Sequence, residues 1–236
     1  MTNRERRNRI IAVVIGDGGL IRVQQDKTVS GRITCYHCKK QTDWNKFKAQ
    51  YLSEAFGKEI RLRAGAREGT QFAVQDKKLR VYHKWFYKNN RKQLKPMLKW
   101  YTGDPALLLA FLLADDGSVL GFKDKRKDGT VVWRGGYIPI FINSQDRENA
   151  EYVKDWLNEK FDTQCVLKWM RQSKTGLNKN PDPEPQPFIK FNSSDSLKIW
   201  GLVRDFILQF PSMQHKFRII ENRYQLFIKQ RIAPNI

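Results

Sequence analysis

"LLLAFLLADDGS", residues 107–118, is an apolar stretch that runs straight into two aspartates and a glycine. A helix over 105–114 would be apolar on every side, which in a water-soluble chain means burial on every side. Asp104 is placed to cap the free N–H groups at its start, and Pro105 fits the first turn. The run 106–114 holds nine apolar residues, well under the roughly 18–20 that cross a bilayer. No membrane partner is expected.

"RIIAVVIGDGG", residues 9–19, repeats the design, with Asp17 before glycine where the later stretch has Asp116, an offset of 116 − 17 = 99 residues. One such ending is ordinary, because Gly stops helices and Asp tolerates the turn. Two at matched places in one strongly basic chain point to function. Ala12 and Gly16, four apart, allow two such helices to approach closely. Their ends would then converge and set Asp17 beside Asp116, where two carboxylates repel unless a cation lies between them. Mg²⁺ suits such oxygen ligands.

The rest of the chain follows the same duplication. After the first apolar helix come extended stretches 20–26 and 32–39, and an amphipathic helix 42–57 with Trp44, Phe47, Tyr51 and Ala55 at helical spacing. Extended segments 59–65 and 70–76 and a helix near 79–90 complete the first series. The second has strands near 118–125 and 130–143, a helix 144–161, strands 163–171 and 187–192, and a helix 193–210. "GLNKNPDPEPQP" (176–187) carries four prolines and reads as an inserted loop. The fold class is α+β, a pseudo-twofold duplication of αββαββα over 1–103 and 104–236.

Charge names the partner. With 44 Lys and Arg against 24 Asp and Glu, the net charge of +20 favours a polyanion, and nucleic acid leads. The start has only a short apolar run and no cleavage site, so secretion is not expected. The bacterial cytoplasm is the expected compartment, or a mitochondrion or chloroplast if the gene is organellar. Three cysteines do not make a disulfide framework. "CYHC" (35–38) lies in a strand-like stretch that points Cys35 and Cys38 to opposite faces, with no further pair to complete a zinc site.

"IIAVVIGDGG" (10–19) and "LAFLLADDGS" (109–118) resemble the two signature motifs of LAGLIDADG homing endonucleases of the single-chain, two-motif kind. Phe111 stands where many members have a small residue, and Ile15 and Ala114 replace the first acid. The resemblance implies two saddle-shaped antiparallel sheets over a long DNA duplex, with the motif helices packed at the interface. It implies a monomer that hydrolyses one phosphodiester in each strand of a long asymmetric target, intron- or intein-associated. Asp17 and Asp116 would bind Mg²⁺, or Mn²⁺ in its place, with backbone carbonyls of Gly16 and Asp115 as added ligands. Ca²⁺ would support binding without cleavage. A basic residue from each half would assist, Lys92 in "YKNNRKQLKP" (87–96) and Lys216 in "PSMQHKFRI" (211–219), with Arg91 and Lys95 close to the first.

Strand alternation then nominates the residues that read DNA. In the first half Arg22, Gln24, Arg32, Thr34, Tyr36, Arg61 and Arg63 would face outward, while Ile21, Val23, Ile33, Ile60 and Leu62 pack inward. The second half offers Lys123, Lys125, Arg134, Lys168, Lys190 and Asn192. Two other readings use the same scaffold: an RNA maturase that assists splicing of an intron RNA, and a DNA-binding regulator with a dead site. The retained acids argue against the regulator.

Overall fold

The computed structural model describes all residues except 26–27, 66–67, 127, 130, 143–144, 171–184 and 233–236. The chain divides into two compact units, one of Met1–Asp115 with Asp205–His215 and one of Asp116–Arg204 with Lys216–Ile236.

Unit 1 begins with α1 (Asn3–Ile15), opened by a capping box in which Glu5 N donates to Thr2 Oγ1 at 3.1 Å and Thr2 N to Glu5 Oε2 at 2.7 Å. From Ile10 to Ile15 every side chain is buried, as all-round apolarity demands. Strands β1 (Gly19–Gln25), β2 (Thr28–His37), β3 (Arg63–Ala64) and β4 (Thr70–Asp76) form one antiparallel sheet in the order β1-β2-β4-β3. Helices α2 (Thr42–Phe56) and α3 (Leu79–Phe86) pack on it. Leu20, Ile33, Cys35, Phe72 and Val74 are buried on the sheet. On α2, Trp44 is buried, and Phe47 and Tyr51 join it in ring contacts with Phe111; Trp44 and Phe47 also meet Phe206 and Phe210. This is the face that the helical spacing marked. The helix stops at Gly57, whose φ of 62° lies in the left-handed region that glycine adopts freely.

The helix expected near 79–90 ends at Phe86. Asn89 and Asn90 have φ of 50° and 59°, the two successive positive values of a tight hairpin turn. They join β5 (Tyr87–Lys88) to β6 (Arg91–Lys92). Then come α4 (Leu94–Trp100) and α5 (Pro105–Asp116), where Ala106 N donates to Asp104 Oδ1 at 2.9 Å as the capping argument required.

Unit 2 contains the antiparallel pair β7 (Leu120–Lys125) and β8 (Val131–Tyr137), and a second antiparallel sheet of β9 (Pro139–Phe141), β10 (Val166–Met170) and β11 (Gln186–Lys190) in the order β10-β11-β9. One extended segment was expected over 130–143. It breaks because Pro139 has no N–H to donate, and Ile138 N turns instead to Ser196 Oγ at 2.9 Å. Helix α6 (Arg147–Phe161) starts three residues later than expected, since Asp146 Oδ1 caps it by accepting from Asn149 N at 2.9 Å. Helix α7 (Ser193–Ile207) and helix α8 (Pro211–Ile232) follow. Ile140, Leu157, Ile189, Phe191, Trp200 and Phe217 are buried in the core. The expected loop 176–187 lies mostly outside the described residues. Among the described residues, no helix is long and apolar enough to cross a membrane.

Candidate metal centre and nucleic-acid interface

Helix α1 ends at Gly16 and Asp17 with no basic residue in its last turn. The carbonyl end of a helix carries partial negative charge and favours a cation. Lys92 Nζ donates to the Gly16 carbonyl, delivered there by the β5–β6 hairpin. That hairpin is tied to β1 by Leu20 N, which donates to the Tyr87 hydroxyl at 3.0 Å. The Asp17 side chain is 42% exposed. An accessible carboxylate at the carbonyl end of a helix offers oxygen donors that suit a hard divalent cation, and Lys92 is the cation that now meets the Gly16 carbonyl. Gly16, Asp17 and Lys92 are thus brought together.

Asp115 has a different task. A Cβ on Gly16 would stand 2.4 Å from both Asp115 Cβ and Oδ2, so the bare glycine makes room for this side chain. The buried carboxylate accepts from Asp17 N at 2.9 Å, Trp44 Nε1 at 2.7 Å, and Lys48 Nζ at 2.9 and 2.7 Å. Lys48 Nζ also lies 3.0 Å from His37 Nε2. Burial pushes the Asp115 carboxyl up, but Lys48, His37 and the bonds from Lys48 and Trp44 prevail and hold it below the usual carboxylate range. Burial likewise opposes the Lys48 charge, and Asp115 outweighs it. Burial and then Lys48 push the His37 pKa below the usual imidazole value, against the pull of Asp115 and Asp17. Ligand atoms of Asp17, His37 and Asp115 lie within 4.8 Å of one another, as in a metal site. The Lys48 ammonium already fills the cation position between Asp115 and His37.

Asp116 closes α5 and Lys216 stands in α8, both half-buried in unit 2. Cys35 is buried, with its thiol pushed up to about 11 by that burial, while Cys38 is exposed, so the two face apart as the alternation required.

On the unit 1 sheet, Arg32, Thr34 and Tyr36 lie on the face opposite buried Ile33 and Cys35, as expected. In β1 the expectation fails. Register pairs Leu20 with Ile33 and Ile21 with Arg32, so Ile21 and Val23 share the outward face and Arg22 and Gln24 share the face of Leu20. Ile21 is 46% exposed. The single large anchor, Leu20, sets the parity of this edge strand rather than the more frequent apolar positions. Ile60 is buried and Leu62 half-buried, as expected. Arg63 is exposed on β3, whereas Arg61 lies before it and pairs with Glu59 at 2.7 Å. Gln71 and Gln75 also face outward, and Gln75 Oε1 accepts from Arg32 at 3.2 and 2.8 Å.

In unit 2, Lys168 and Lys190 share one face of the β10-β11-β9 sheet, with Lys190 Nζ 4.1 Å from the Tyr137 ring centroid. Asn192 is occupied with the start of α7, accepting from Asp195 N at 2.8 Å. Lys123 and Lys125 stand on β7 and Arg134 on β8; their side chains lie outside the described residues.

Residues 7–198 match the LAGLIDADG DNA endonuclease family. The chain belongs to this family. The fold is similar to those of solved homing endonucleases and meganucleases. The homing endonuclease I-WcaI bound to its DNA recognition sequence is 18% identical, with a TM-score of 0.56 over 91% of this chain and 86% of that one. The meganuclease I-SmaMI bound to uncleaveable DNA is 11% identical, with a TM-score of 0.52 over 99% of this chain and 92% of that one. I-DmoI in complex with DNA and Ca is 13% identical, with a TM-score of 0.50 over 85% and 89%. No curated relative matches the sequence.

Within the LAGLIDADG framework, sequence reasoning missed His37, Trp44 and Lys48 as site residues. Lys48 carried a signal: it lies between Trp44 and Leu52 on the buried stripe of α2, where a lone lysine requires acid partners. His37 shares the inward parity of Ile33 and Cys35, and "TQFAVQD" (70–76) alternates in a way that turns Gln71 and Gln75 outward.

Proposed function

We propose that this LAGLIDADG protein is a site-specific, metal-dependent double-stranded DNA endonuclease that acts as a monomer, with repeats 1–103 and 104–236 each serving one half of an asymmetric target. The observation that carries the reading is the end of α1, where the accessible Asp17 directly follows Gly16, whose carbonyl accepts from Lys92. Asp17 holds a divalent ion in the first half, and Asp116 is its counterpart in the second. The ion, Mg²⁺ in the working enzyme, supplies an activated water and stabilises charge on the phosphoryl oxygens. Lys92 and Lys216 neutralise the phosphate under attack. Arg32, Thr34, Tyr36, Arg63, Gln71 and Gln75 supply hydrogen-bonding groups toward one stretch of major groove, and Lys168 and Lys190 toward another. The net charge of +20 supplies the salt-sensitive phosphate affinity.

The test is incubation of the purified protein with a genomic or intron-junction DNA library and Mg²⁺, followed by sequencing of new ends. One recurrent cut site, absent in chelator and absent with Asp17→Asn, is expected. Ca²⁺ should retain binding to the same duplex without cutting, since its longer, looser coordination polarises the attacking water poorly. Binding with no new ends in Mg²⁺ or Mn²⁺ would overturn the endonuclease reading.

A further inference from the structure

From Lys77 to Gly103 the chain carries nine Lys and Arg and no Asp or Glu. The stretch includes α3, which packs on the inward face of the unit 1 sheet, where a Cβ on Gly31 would stand 2.5 Å from Leu79 C. Leu79 and Phe86 are the buried residues of α3, and Arg80, Val81, Lys84 and Trp85 are left exposed. Between α3, the β5–β6 hairpin and the edge strand β1 lies a cleft of about 880 Å³, lined by Arg22, Arg80 and Lys84 beside His83, Trp85 and Tyr87. No carboxylate lines it, and none of the described residues forms an ion pair with these three cations. Trp85 is 40% exposed, yet its ring is supported from behind: it packs on Trp100 with centroids 4.3 Å apart, and the Arg7 guanidinium lies 5.4 Å from the Trp100 centroid. His83 stacks on Tyr87 at 5.0 Å and 7°, and Leu20 N fixes the Tyr87 hydroxyl. The core uses neither the exposed rings nor the unpaired cations.

We propose that this cleft and the adjoining Trp85–Trp100 pair bind an unpaired strand of RNA, a partner separate from the duplex assigned to the outward face of the sheet. A nucleic-acid strand brings one negative charge and one flat base with every nucleotide, and the cleft answers both, with cations for the phosphates and supported rings for the bases. Stacking on a side chain needs a base whose face is free. A DNA duplex keeps its bases stacked on one another, whereas RNA is recognised chiefly through unpaired loops, bulges and ends. A protein partner would have to be acidic along its whole contact to match a stretch of nine cations without an acid. Arg22 joins from the inward side of β1, the parity that takes it off the outward face. Neither metal nor cleavage enters this second binding.

The test titrates the full chain into a fluorescein-labelled RNA of mixed sequence, about 12 nucleotides long, with excess random-sequence duplex DNA present to occupy other basic surfaces. Anisotropy should report RNA binding that survives the duplex. Trp85→Leu keeps apolar bulk but gives up the stacking face, and should weaken RNA binding about tenfold while duplex binding stays at the parent level. Arg80→Gln with Lys84→Gln removes two phosphate contacts, and should lower the log–log salt slope for RNA by about 1.4. RNA carrying 4-thiouridine, irradiated in the same mixture, should crosslink to the tryptic peptide Trp85–Lys88, a readout that needs no variant. Full displacement of RNA by the duplex would overturn the proposal. So would parent-like RNA binding by Trp85→Leu, crosslinks confined to the sheet strands, or a DNA strand of the same sequence bound more tightly than the RNA.

Discussion

Each unit ties down one carboxylate with a tryptophan and a cation four residues apart on one helix. In unit 1, Trp44 Nε1 and Lys48 Nζ of α2 reach Asp115 at 2.7 Å each. In unit 2, Trp200 Nε1 and Arg204 of α7 reach Glu221 at 2.6 and 2.8 Å. The spacing explains the likeness, because residues i and i+4 lie one above the other on a helix face and converge on one acceptor. Burial explains the difference: the side chain of Asp115 is 0% exposed and that of Glu221 is 20% exposed. Arg204 meets a partly wet carboxylate through two nitrogens, a geometry suited to a tie between helices. Lys48 meets a dry one, and its third N–H bond goes to His37. The same local rule thus yields a structural tie in one unit and the back wall of a candidate metal centre in the other.

The largest expected effect breaks the dry tie. Lys48→Met leaves Asp115 buried without its cation and should cost about 3–5 kcal/mol, whereas adding Asp115→Asn, which removes the stranded charge and keeps an acceptor for Trp44 Nε1, should recover part of that loss. Urea unfolding of the two variants checks it, and a single variant as stable as the parent would mean that the pair is not dry. Gly16→Ala comes next. Its new Cβ would stand 2.4 Å from Asp115 Oδ2, and relief of that overlap should cost about 2–3 kcal/mol by the same measurement.

Acid should strike the wetter tie more gently. Glu221 lies at about 2 in the folded chain against 4.5 for the free group, held down chiefly by Arg204, against the opposing effect of burial, with help from Gln225 and Trp200. A lowered folded value means stability that is complete above 4.5 and drains away as pH falls toward 2. After allowance for partial exposure this amounts to about 2 kcal/mol. Stability measured across that window should fall less steeply in Glu221→Gln. The smallest effect is Gln225→Ala, which removes one exposed hydrogen bond to the same acid for about 0.5 kcal/mol.

Much of this was legible in the chain. The apolar runs, the Asp104 cap, the Trp44 face of α2 and the doubled αββαββα order all follow from periodicity, and the fold answers to them. Less legible was anything set by partners distant in sequence. "ADD" shows two acids, but only a lysine 67 residues earlier makes the first a buried ion pair. Asn89–Asn90 sits inside a stretch with helical periodicity, and its left-handed turn ends the helix and aims Lys92 at Gly16. The β1 parity depended on which strand pairs with which, a fact alternation alone does not hold.

The central claim divides the adjacent acids of the second motif between two jobs, Asp115 for structure and Asp116 for metal. Strand-resolved cleavage of the selected duplex in Mg²⁺, below the unfolding temperature of every variant, tests it most directly. Asp116→Asn and Asp17→Asn should each abolish double-strand cutting. Asp115→Asn should lower the unfolding temperature yet still cut both strands, slower by no more than about 100-fold. Undiminished cutting by Asp116→Asn, or an Asp115→Asn protein that is equally dead at an unchanged unfolding temperature, would contradict the division.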